Sequence, residues 1–302
     1  MRLLVTGANG QVGWELNRSL AALGNVVALD RRECDLSRPE RLPKLIRGLK
    51  PDVIVNAAAY TAVDQAEREE ELATTVNGTA VGVMAQEAQR AGALLVHYST
   101  DYVFDGRKDI PYTEEDSPHP INAYGRSKLA GEIAVREAAG SHVILRTSWV
   151  YSARGRNFLL TILRLLRERE ELRIVADQIG APTSAAQIAR ATAAIVTTAV
   201  SERAEGQFAS GLFHLTASGV TSWHGFAAAI LVGATCHGLL APARACRLVP
   251  VASEEYPRPA ARPKNSRLAC DRLHQRFGIA LPYWKEGLSL CLEEMRACVS
   301  AN

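Results

Sequence analysis

Tyr124, Lys128 and Thr100 have the side chains that acid–base chemistry on a carbonyl group requires. Tyr124 and Lys128 are four residues apart at the start of a predicted helix, so the phenol and the ammonium share one helical face. A phenol has an ordinary pKa of about 10, and a fixed cation nearby stabilises its phenolate. Thr100 follows Ser99 at the end of an apolar segment, where a hydroxyl can hydrogen-bond a substrate oxygen. Each signal alone is weak, but the three together in this order favour catalysis.

A glycine-rich turn near the N-terminus has the position of a dinucleotide-binding turn. Gly7, Gly10 and Gly13 lie between a predicted strand and a predicted helix, where a bare backbone lets a pyrophosphate approach the helix N-terminus. Gln11 and Val12 lie inside the turn. The spacing is Gly-x-x-Gly-x-x-Gly rather than Gly-x-Gly-x-x-Gly, and a tight turn without a ligand is the alternative.

The residues that end the next two predicted strands bear on the cofactor. Asp30 is placed to accept hydrogen bonds from the adenosine ribose hydroxyls, which indicates NADH. Arg31 follows at once, and a guanidinium there can pair with the 2′-phosphate of NADPH. We therefore expect NADPH or NADH to be used, with a solvated charge run as the alternative. Ala58 and Ala59 end the third strand and leave room for the adenosine, although tight helix packing also selects alanines.

These residues follow elements that alternate along the first half of the chain. Short apolar segments predict strands at 2–6, 26–29, 53–56, 94–99 and 143–147, and helical periods predict helices at 14–23, 39–49, 70–91 and 127–139. Such alternation predicts an α/β fold with a Rossmann-like, doubly wound parallel sheet, in which residues 1–150 form the NAD(P)-binding domain. We interpret residues 151–302 as mainly a smaller substrate-binding lobe, with a segment at about 185–200 returning to pack on the first domain.

Composition and charge exclude several classes of protein. Of 302 residues, 47% are hydrophobic and 22% are charged, which is typical of a globular protein. The net charge of +3 comes from mixed charges without a basic stripe, so we expect no nucleic-acid partner. The longest apolar stretch, 226–236, is shorter than the roughly 20 residues of a membrane span, and glycine comes too early for a signal peptide. We expect a cytoplasmic protein without membrane contact.

Longer motifs carry a specific resemblance. They include Tyr-Gly-Arg-Ser-Lys-Leu-Ala-Gly-Glu at 124–132, Gln-Ile-Gly-Ala-Pro-Thr at 178–183 and Arg-Pro-Lys-Asn-Ser-Arg-Leu at 262–268. The segments 7–16, 51–59, 99–104 and 146–151 contribute as well. With these motifs the chain resembles the extended-type short-chain dehydrogenases/reductases and, among them, the dTDP-4-dehydrorhamnose reductase family, over nearly its whole length.

The resemblance implies a reaction and a site. The reaction is the NAD(P)H-dependent reduction of dTDP-4-dehydro-L-rhamnose to dTDP-L-rhamnose, the last step in making this activated sugar for polysaccharides. Thr100 and Asp101 would contact the sugar, and Trp149 would line its pocket unless it is an ordinary core aromatic. Tyr124 would donate the proton, and Lys128 would hold the nicotinamide ribose. The positions implied to line the cofactor are Gly10, Gln11, Val12, Asp30, Arg31, Asp35, Leu36, Ala58, Ala59 and Thr61.

The family comparison also bears on metals and partners. Some members resemble a magnesium-linked dimer that uses glutamates, and Glu15 is present here, but Ala186 takes the place of an expected glutamate. We therefore expect no metal and leave a homodimer open. A basic stretch would neutralise the substrate diphosphate or form a solvated loop; its members are Arg258, Arg262, Lys264 and Arg267.

Two rival functions share these features. A nucleotide-sugar epimerase or dehydratase has the same fold and Tyr/Lys pair but regenerates a tightly bound cofactor. A non-catalytic NADP-binding protein similar to the regulatory subunit of methionine adenosyltransferase serves a partner instead. Thr100, Tyr124 and Lys128 are all present, which favours an enzyme.

Overall fold

The structure, a computed structural model, describes residues 1–241 and 246–300. Its strands are β1 (Arg2–Thr6), β2 (Asn25–Leu29), β3 (Val53–Asn56), β4 (Leu94–Thr100), β5 (His142–Thr147), β6 (Val150–Tyr151), β7 (Glu171–Val175), β8 (Ile179–Gly180), β9 (Thr183–Ser184), β10 (Gly211–His214), β11 (Thr221–Ser222) and β12 (Arg247–Val251). Its helices are α1 (Gln11–Leu20), α2 (Leu42–Leu49), α3 (Val63–Ala66), α4 (Glu70–Thr74), α5 (Ala80–Ala91), α6 (Ala123–Glu137), α7 (Phe158–Glu168), α8 (Ala185–Ala204), α9 (Trp223–Cys236), α10 (Asp271–Phe277) and α11 (Trp284–Ser300). Within the described ranges, no helix is long and apolar enough to cross a bilayer.

Six strands form one parallel sheet in the order β10–β5–β4–β3–β1–β2. The chain turns from β1 to β2 on one side and later adds β3 on the other side of β1. This reversal opens a crevice at the carboxyl ends of β1 and β3, where open α/β sheets bind their ligands. The predicted α/β fold with a Rossmann-like parallel sheet is confirmed.

Helices cover both faces of the sheet, so its strands are near-continuous apolar runs. Successive side chains of a strand point to opposite faces. Val5 therefore packs with Leu16 of α1 in one hydrophobic core, while Leu4 packs with Ile46 and Met84 of α2 and α5 in another. Burial on both faces fixes the strands in register and brings their polar carboxyl ends to one edge.

A separate hydrophobic core joins α7, α9 and α11 with the two-stranded sheet of β7 and β12. Leu163, Phe226 and Trp284 are buried in it. Helix α8 does not belong to this core. Its residues Ile188 and Ile195 are fully buried in the core that contains β1 and α1.

All four predicted helices differ from their predicted bounds, and two of the differences coincide with side-chain hydrogen bonds beside the candidate site. The helix predicted at 70–91 is interrupted by a π-helical turn at Thr75–Thr79, where Asn77 Oδ1 accepts from the Tyr60 N–H at 2.8 Å. The helix predicted to begin at 127 begins at Ala123, because Asn122 Oδ1 caps it by accepting from the Gly125 N–H at 2.8 Å. Side-chain hydrogen bonds to the backbone thus accompany the interruption of the first helix and cap the start of the second.

Candidate active site

The glycine turn lies at the carboxyl end of β1 and leads into α1. Gly7 has a φ of 72°, and a Cβ there would lie 2.9 Å from the Ala58 backbone after β3. A Cβ on Gly13 would lie 2.0 Å from the Gly7 carbonyl oxygen. Among the described residues, no side chain caps α1 at Gly10, and its first turn holds no acidic residue. The close backbone and the open N–H groups suit a pyrophosphate.

Asp30 is held in place at the carboxyl end of β2. Its Oδ2 accepts from Asn9 Nδ2 at 3.0 Å, and its Oδ1 accepts from the Arg32 N–H at 2.7 Å. The side chain of Arg31 is 81% exposed, with its Nε 3.7 Å from Asp35 Oδ1. The edge of the sheet therefore offers a carboxylate suited to ribose hydroxyls and an exposed guanidinium suited to a phosphate.

The other predicted cofactor residues lie at different depths. Ala58 and Ala59 are half-buried beside the glycine turn, and Thr61 beyond them is exposed. Val12 packs on the core under α1, and Leu36 is buried in the core that contains Leu4. The Val12 and Leu36 side chains therefore pack on the cores beneath the site.

The side chain of Gln11 joins the glycine turn to the loop that follows β6. Gln11 Oε1 accepts from Asn157 Nδ2 at 2.8 Å and from Ser152 Oγ at 3.1 Å. Asn157 also caps α7, because its Oδ1 accepts from the Leu160 N–H at 3.0 Å. The amide of Gln11 thus braces the turn against the start of the second core.

Thr100 and Tyr124 meet at the carboxyl end of β4. The Thr100 hydroxyl is within hydrogen-bonding reach of the Tyr124 phenol, and it donates to Asp101 Oδ1 at 3.0 Å. The ring of Tyr102 packs edge-on against Tyr124, with the ring centroids 5.7 Å apart. Burial raises the pKa of Tyr124 above its ordinary value, and the bond to Thr100 opposes this rise. The phenol is therefore held protonated and ready to donate.

Lys128 lies one helical turn beyond Tyr124, and its amine is directed into the protein. Lys128 is 3% exposed, and its Nζ donates to the Tyr98 carbonyl oxygen at 2.6 Å. Burial lowers the pKa of Lys128 to about 8, while Glu132 acts in the opposite direction. This pKa lies only slightly above neutral pH, so Lys128 loses its charge at mildly alkaline pH.

Asp101 is buried beside this pair and is incompletely satisfied. Burial raises the pKa of Asp101 to about 6, against the hydrogen bonds from Ser266 and Thr100. Among the residues that the structure describes, none hydrogen-bonds Asp101 Oδ2. A buried oxygen without a partner is free to receive a ligand hydroxyl.

Trp149 follows β5, and its side chain is 8% exposed. It has a φ of 49°, and its ring stacks on Trp223 with the centroids 3.7 Å apart. Gly180 leaves the space for it, since a Cβ there would lie 2.7 Å from the indole. The ring is firmly held and mostly covered in this arrangement.

A cavity of about 590 Å³ beside the loop after β4 is lined by part of the predicted basic stretch. Arg262, Lys264 and Arg267 line it, whereas Arg258 stacks on the ring of Tyr256 elsewhere. Arg262 pairs with Asp64 at 2.9 Å, and Lys264 reaches two carboxylates within 3.2 Å. Nearby carboxylates therefore already balance much of the positive charge of this cavity.

Glu15 lies in α1, two residues after Gly13 of the glycine turn, and is buried. Burial raises the pKa of the Glu15 carboxyl, and the nearby charge of Glu294 adds to the rise. Glu15 and Ala186 line one cavity, in which the Ala186 side chain offers no ligand atom to a metal. Across residues 1–241 and 246–300, no group of three or more His, Cys, Asp or Glu residues is arranged to hold a metal.

Sequence reasoning missed the polar residues behind the site. Asn56 ends β3 and His97 lies within β4, and both are at most 1% exposed. Asn77, in the π-helical turn, donates through its Nδ2 to Ser127 Oγ at 2.9 Å. A buried polar residue inside an apolar strand must find a partner, and this was the available signal.

Comparison with known proteins agrees with the geometry. The model of the RmlD substrate binding domain family matches residues 1–297. A dTDP-4-dehydrorhamnose reductase of Burkholderia thailandensis is 56% identical over 98% of this chain and 99% of the relative. Two solved structures of dTDP-4-dehydrorhamnose reductases are each 36% identical. That of Clostridium acetobutylicum has a TM-score of 0.88 and covers 98% and 100% of the two chains. That of Bacillus anthracis, in complex with NADP, has a TM-score of 0.86 and covers 97% and 99%.

The parallel sheet carries the glycine turn and Thr100 at its strand ends, and Tyr124 and Lys128 lie on the adjoining helix α6. This arrangement defines the class of protein, an extended-type short-chain dehydrogenase/reductase. Matches of this identity and coverage then define the family. The chain belongs to the dTDP-4-dehydrorhamnose reductase family.

Proposed function

We propose that this enzyme reduces dTDP-4-dehydro-L-rhamnose to dTDP-L-rhamnose with NADPH or NADH, the last step of dTDP-rhamnose biosynthesis. The observation that carries the proposal is the Thr100–Tyr124 pair next to Lys128, at the same sheet edge as the glycine turn. Relatives with the corresponding activity in their names match nearly the full chain, and one solved relative holds NADP.

The mechanism follows from what these side chains can do. When bound, the reduced dinucleotide supplies a hydride for sugar C4. Once the Thr100 hydroxyl turns its hydrogen away from Asp101, it and the Tyr124 phenol can both donate to one carbonyl oxygen, because they lie within reach of each other. Tyr124 gives its proton to that oxygen, so that alkoxide charge does not accumulate. Asp101 Oδ2 receives a sugar hydroxyl, which fixes the ring against this pair.

The substrate lobe, location and assembly are parts of the same proposal. Residues 151–302 would mainly hold the nucleotide sugar, with Trp149 against the sugar and the cavity of Arg262, Lys264 and Arg267 close to its diphosphate. We place the enzyme in the cytoplasm. A homodimer is also part of the proposal, and sedimentation would test it.

The assay offers the enzyme dTDP-4-dehydrorhamnose with NADPH or NADH and follows the loss of reduced cofactor. We expect oxidation equal to the sugar reduced. An epimerase or dehydratase would convert a nucleotide sugar without net consumption. Absence of turnover with both cofactors, while NADPH still binds, would favour the non-catalytic rival.

Replacing Gly13 by alanine is expected to weaken NADPH binding about 10- to 100-fold. The new Cβ would lie 2.0 Å from the Gly7 carbonyl oxygen, and relieving such overpacking costs about 1–3 kcal/mol. Gly48 in α2 is the matched control, because a Cβ there meets nothing within 4 Å. Gly48→Ala should keep the wild-type Kd, and equal Kd values for both variants would contradict a dinucleotide at this turn.

Replacing Asp101 by asparagine is expected to change how stability depends on pH. The folded-state pKa of about 6 lies above the ordinary value of 3.8, so the wild type loses stability as pH rises between these values. Asp101→Asn removes this loss and should gain about 2–3 kcal/mol relative to wild type between about pH 4 and about pH 7. Denaturant unfolding at both pH values measures it.

Asp105 supplies a control of opposite sign for this prediction. The phenol of Tyr112 donates to Asp105 and lowers the pKa of its carboxyl. The free energy of unfolding of the wild type therefore gains a contribution from Asp105 as the pH rises. Asp105→Asn lacks this contribution and should become less stable relative to the wild type over the same pH range. Parallel pH curves for the wild type and Asp101→Asn would show that Asp101 is not held in a destabilising environment.

A further inference from the structure

Behind the catalytic residues, buried side chains form a hydrogen-bonded line across three strands. Thr6 Oγ1 donates to Asn56 Oδ1 at 2.6 Å, and Asn56 Nδ2 lies 3.1 Å from His97 Nδ1. His97 Nε2 lies 3.5 Å from Lys128 Nζ. Thr6, Asn56 and His97 are direct neighbours in the registers of β1, β3 and β4, and no member of the line is more than 3% exposed. The sheet itself therefore holds this line in place.

Counting donors fixes the tautomer of His97. Thr6 Oγ1 accepts from the Ala58 N–H at 3.3 Å and donates its own hydrogen to Asn56 Oδ1 at 2.6 Å. The Asn56 amide then presents an N–H to His97 Nδ1, which must accept and so carries no proton. Burial lowers the pKa of His97 and keeps the ring neutral. A neutral ring with a bare Nδ1 carries its hydrogen on Nε2, the atom that faces Lys128.

The same counting determines the state of the lysine. An ammonium has three donors and no acceptor, so it cannot receive the imidazole N–H. An uncharged amine can accept this N–H while donating to the Tyr98 carbonyl oxygen. The nearest carboxylate, Glu132, is bound by Arg146 through two hydrogen bonds, and the Tyr98 hydroxyl turns away to Thr192. Burial lowers the pKa of Lys128 to about 8, so the uncharged amine predominates above that pH.

We propose that His97 is a positioning residue that, at mildly alkaline pH, holds Lys128 as an uncharged amine until the dinucleotide binds. Ribose hydroxyls then offer acceptors to Lys128, and its amine takes a proton from the solvent as it turns towards them. The inference rests on the proposed function, since it needs Lys128 to receive the nicotinamide ribose. His97 acts only through the lysine, because it is fully buried in β4.

The tautomer of His97 is the first test and needs no cofactor. Nitrogen-15 NMR of the imidazole distinguishes a hydrogen on Nε2 from one on Nδ1, and we expect Nε2–H in the wild type. Asn56→Asp offers a carboxylate to Nδ1 and should move the hydrogen there. A wild-type ring protonated on Nδ1 would overturn the proposal.

Proton uptake on NADPH binding is the second test. Titration calorimetry in buffers of different ionisation enthalpy counts the protons at about pH 9, above the lowered pKa of Lys128 and below its ordinary value. The wild type should take up close to one proton per NADPH, and Asn56→Asp close to none, because its lysine is already charged. Absence of uptake in the wild type, or equal uptake in both proteins, would refute the inference.

Two further variants guard against a folding defect. If Asn56→Asp fails to fold, His97→Gln takes its place in the test. The new amide oxygen can accept from an ammonium, so this variant should also lose the proton uptake. His214→Gln is the matched control, since His214 is another fully buried imidazole in the sheet and lies away from Lys128. A purely structural role would weaken NADPH binding without changing the proton count. The result does not depend on turnover, so its failure is distinguishable from failure of the proposed reaction.

Discussion

The Tyr124→Phe variant is expected to turn over about 100 to 10,000 times more slowly than the wild type, the range that general acid catalysis contributes. The substitution removes the phenolic proton and keeps the ring that packs on Tyr102. NADPH binding should stay close to the wild-type value, because the phenol acts on the reacting oxygen. Steady-state kcat and a fluorescence titration with NADPH measure the two effects separately.

Tyr102→Phe is the control for this prediction. Its ring belongs to the same aromatic pair, and burial also raises the pKa of its phenol. We expect kcat within a few-fold of the wild type, because Tyr102 does not share the hydroxyl of Thr100 with the reacting oxygen. If Tyr124→Phe kept wild-type turnover, or if both variants lost it equally, Tyr124 would not be the proton donor.

Replacing Glu132 by glutamine is expected to cost about 3–5 kcal/mol of unfolding free energy, the usual effect of leaving one buried charge alone. Glu132 and Arg146 form two hydrogen bonds of 2.8 and 2.6 Å, with side chains 0% and 2% exposed. Ser99 also donates to Glu132, so the pair fixes the end of β4 beside Thr100. Urea denaturation followed by circular dichroism measures the loss.

An exposed pair of similar geometry is the control. Arg126 and Glu70 form two hydrogen bonds of 2.7 and 3.0 Å, but their side chains are 46% and 48% exposed. Glu70→Gln should therefore cost about 1 kcal/mol at most. Replacing both Glu132 and Arg146 by leucine should recover much of the lost stability, because no charge is left buried. Equal losses in Glu132→Gln and Glu70→Gln would show that burial does not decide the cost.

Local patterns in the sequence were enough for five of the six strands of the sheet and for the order of the site residues, whereas β10 was not predicted. Strands buried on both faces are apolar throughout, so β1 and β3 were predicted with the bounds they have. A parallel sheet brings the carboxyl ends of its strands together. The glycine turn, Asp30 and Thr100 were therefore expected at one edge, and the structure has them there.

Contacts between distant segments were beyond the reach of such patterns. Trp149 stacks on Trp223, which lies 74 residues further along the chain. The line from Thr6 to His97 exists only because the strand registers place residues 6, 56 and 97 side by side. The direction of the Lys128 amine follows from this burial, whereas helical spacing alone gave only the face on which it lies. Strand register and long-range packing are properties of the assembled fold, whereas hydrophobic periodicity is a property of the local sequence.

The brace between Gln11 and the loop of Ser152 and Asn157 limits how this protein can be re-engineered. A chimaera that imports the sugar-recognition half of another reductase would replace both hydrogen-bond donors and leave the amide at residue 11 without its partners. Grafting boundaries should therefore be drawn so that residue 11 travels with the imported half. Swaps that ignore this coupling would disturb the phosphate turn even when every residue around it is native.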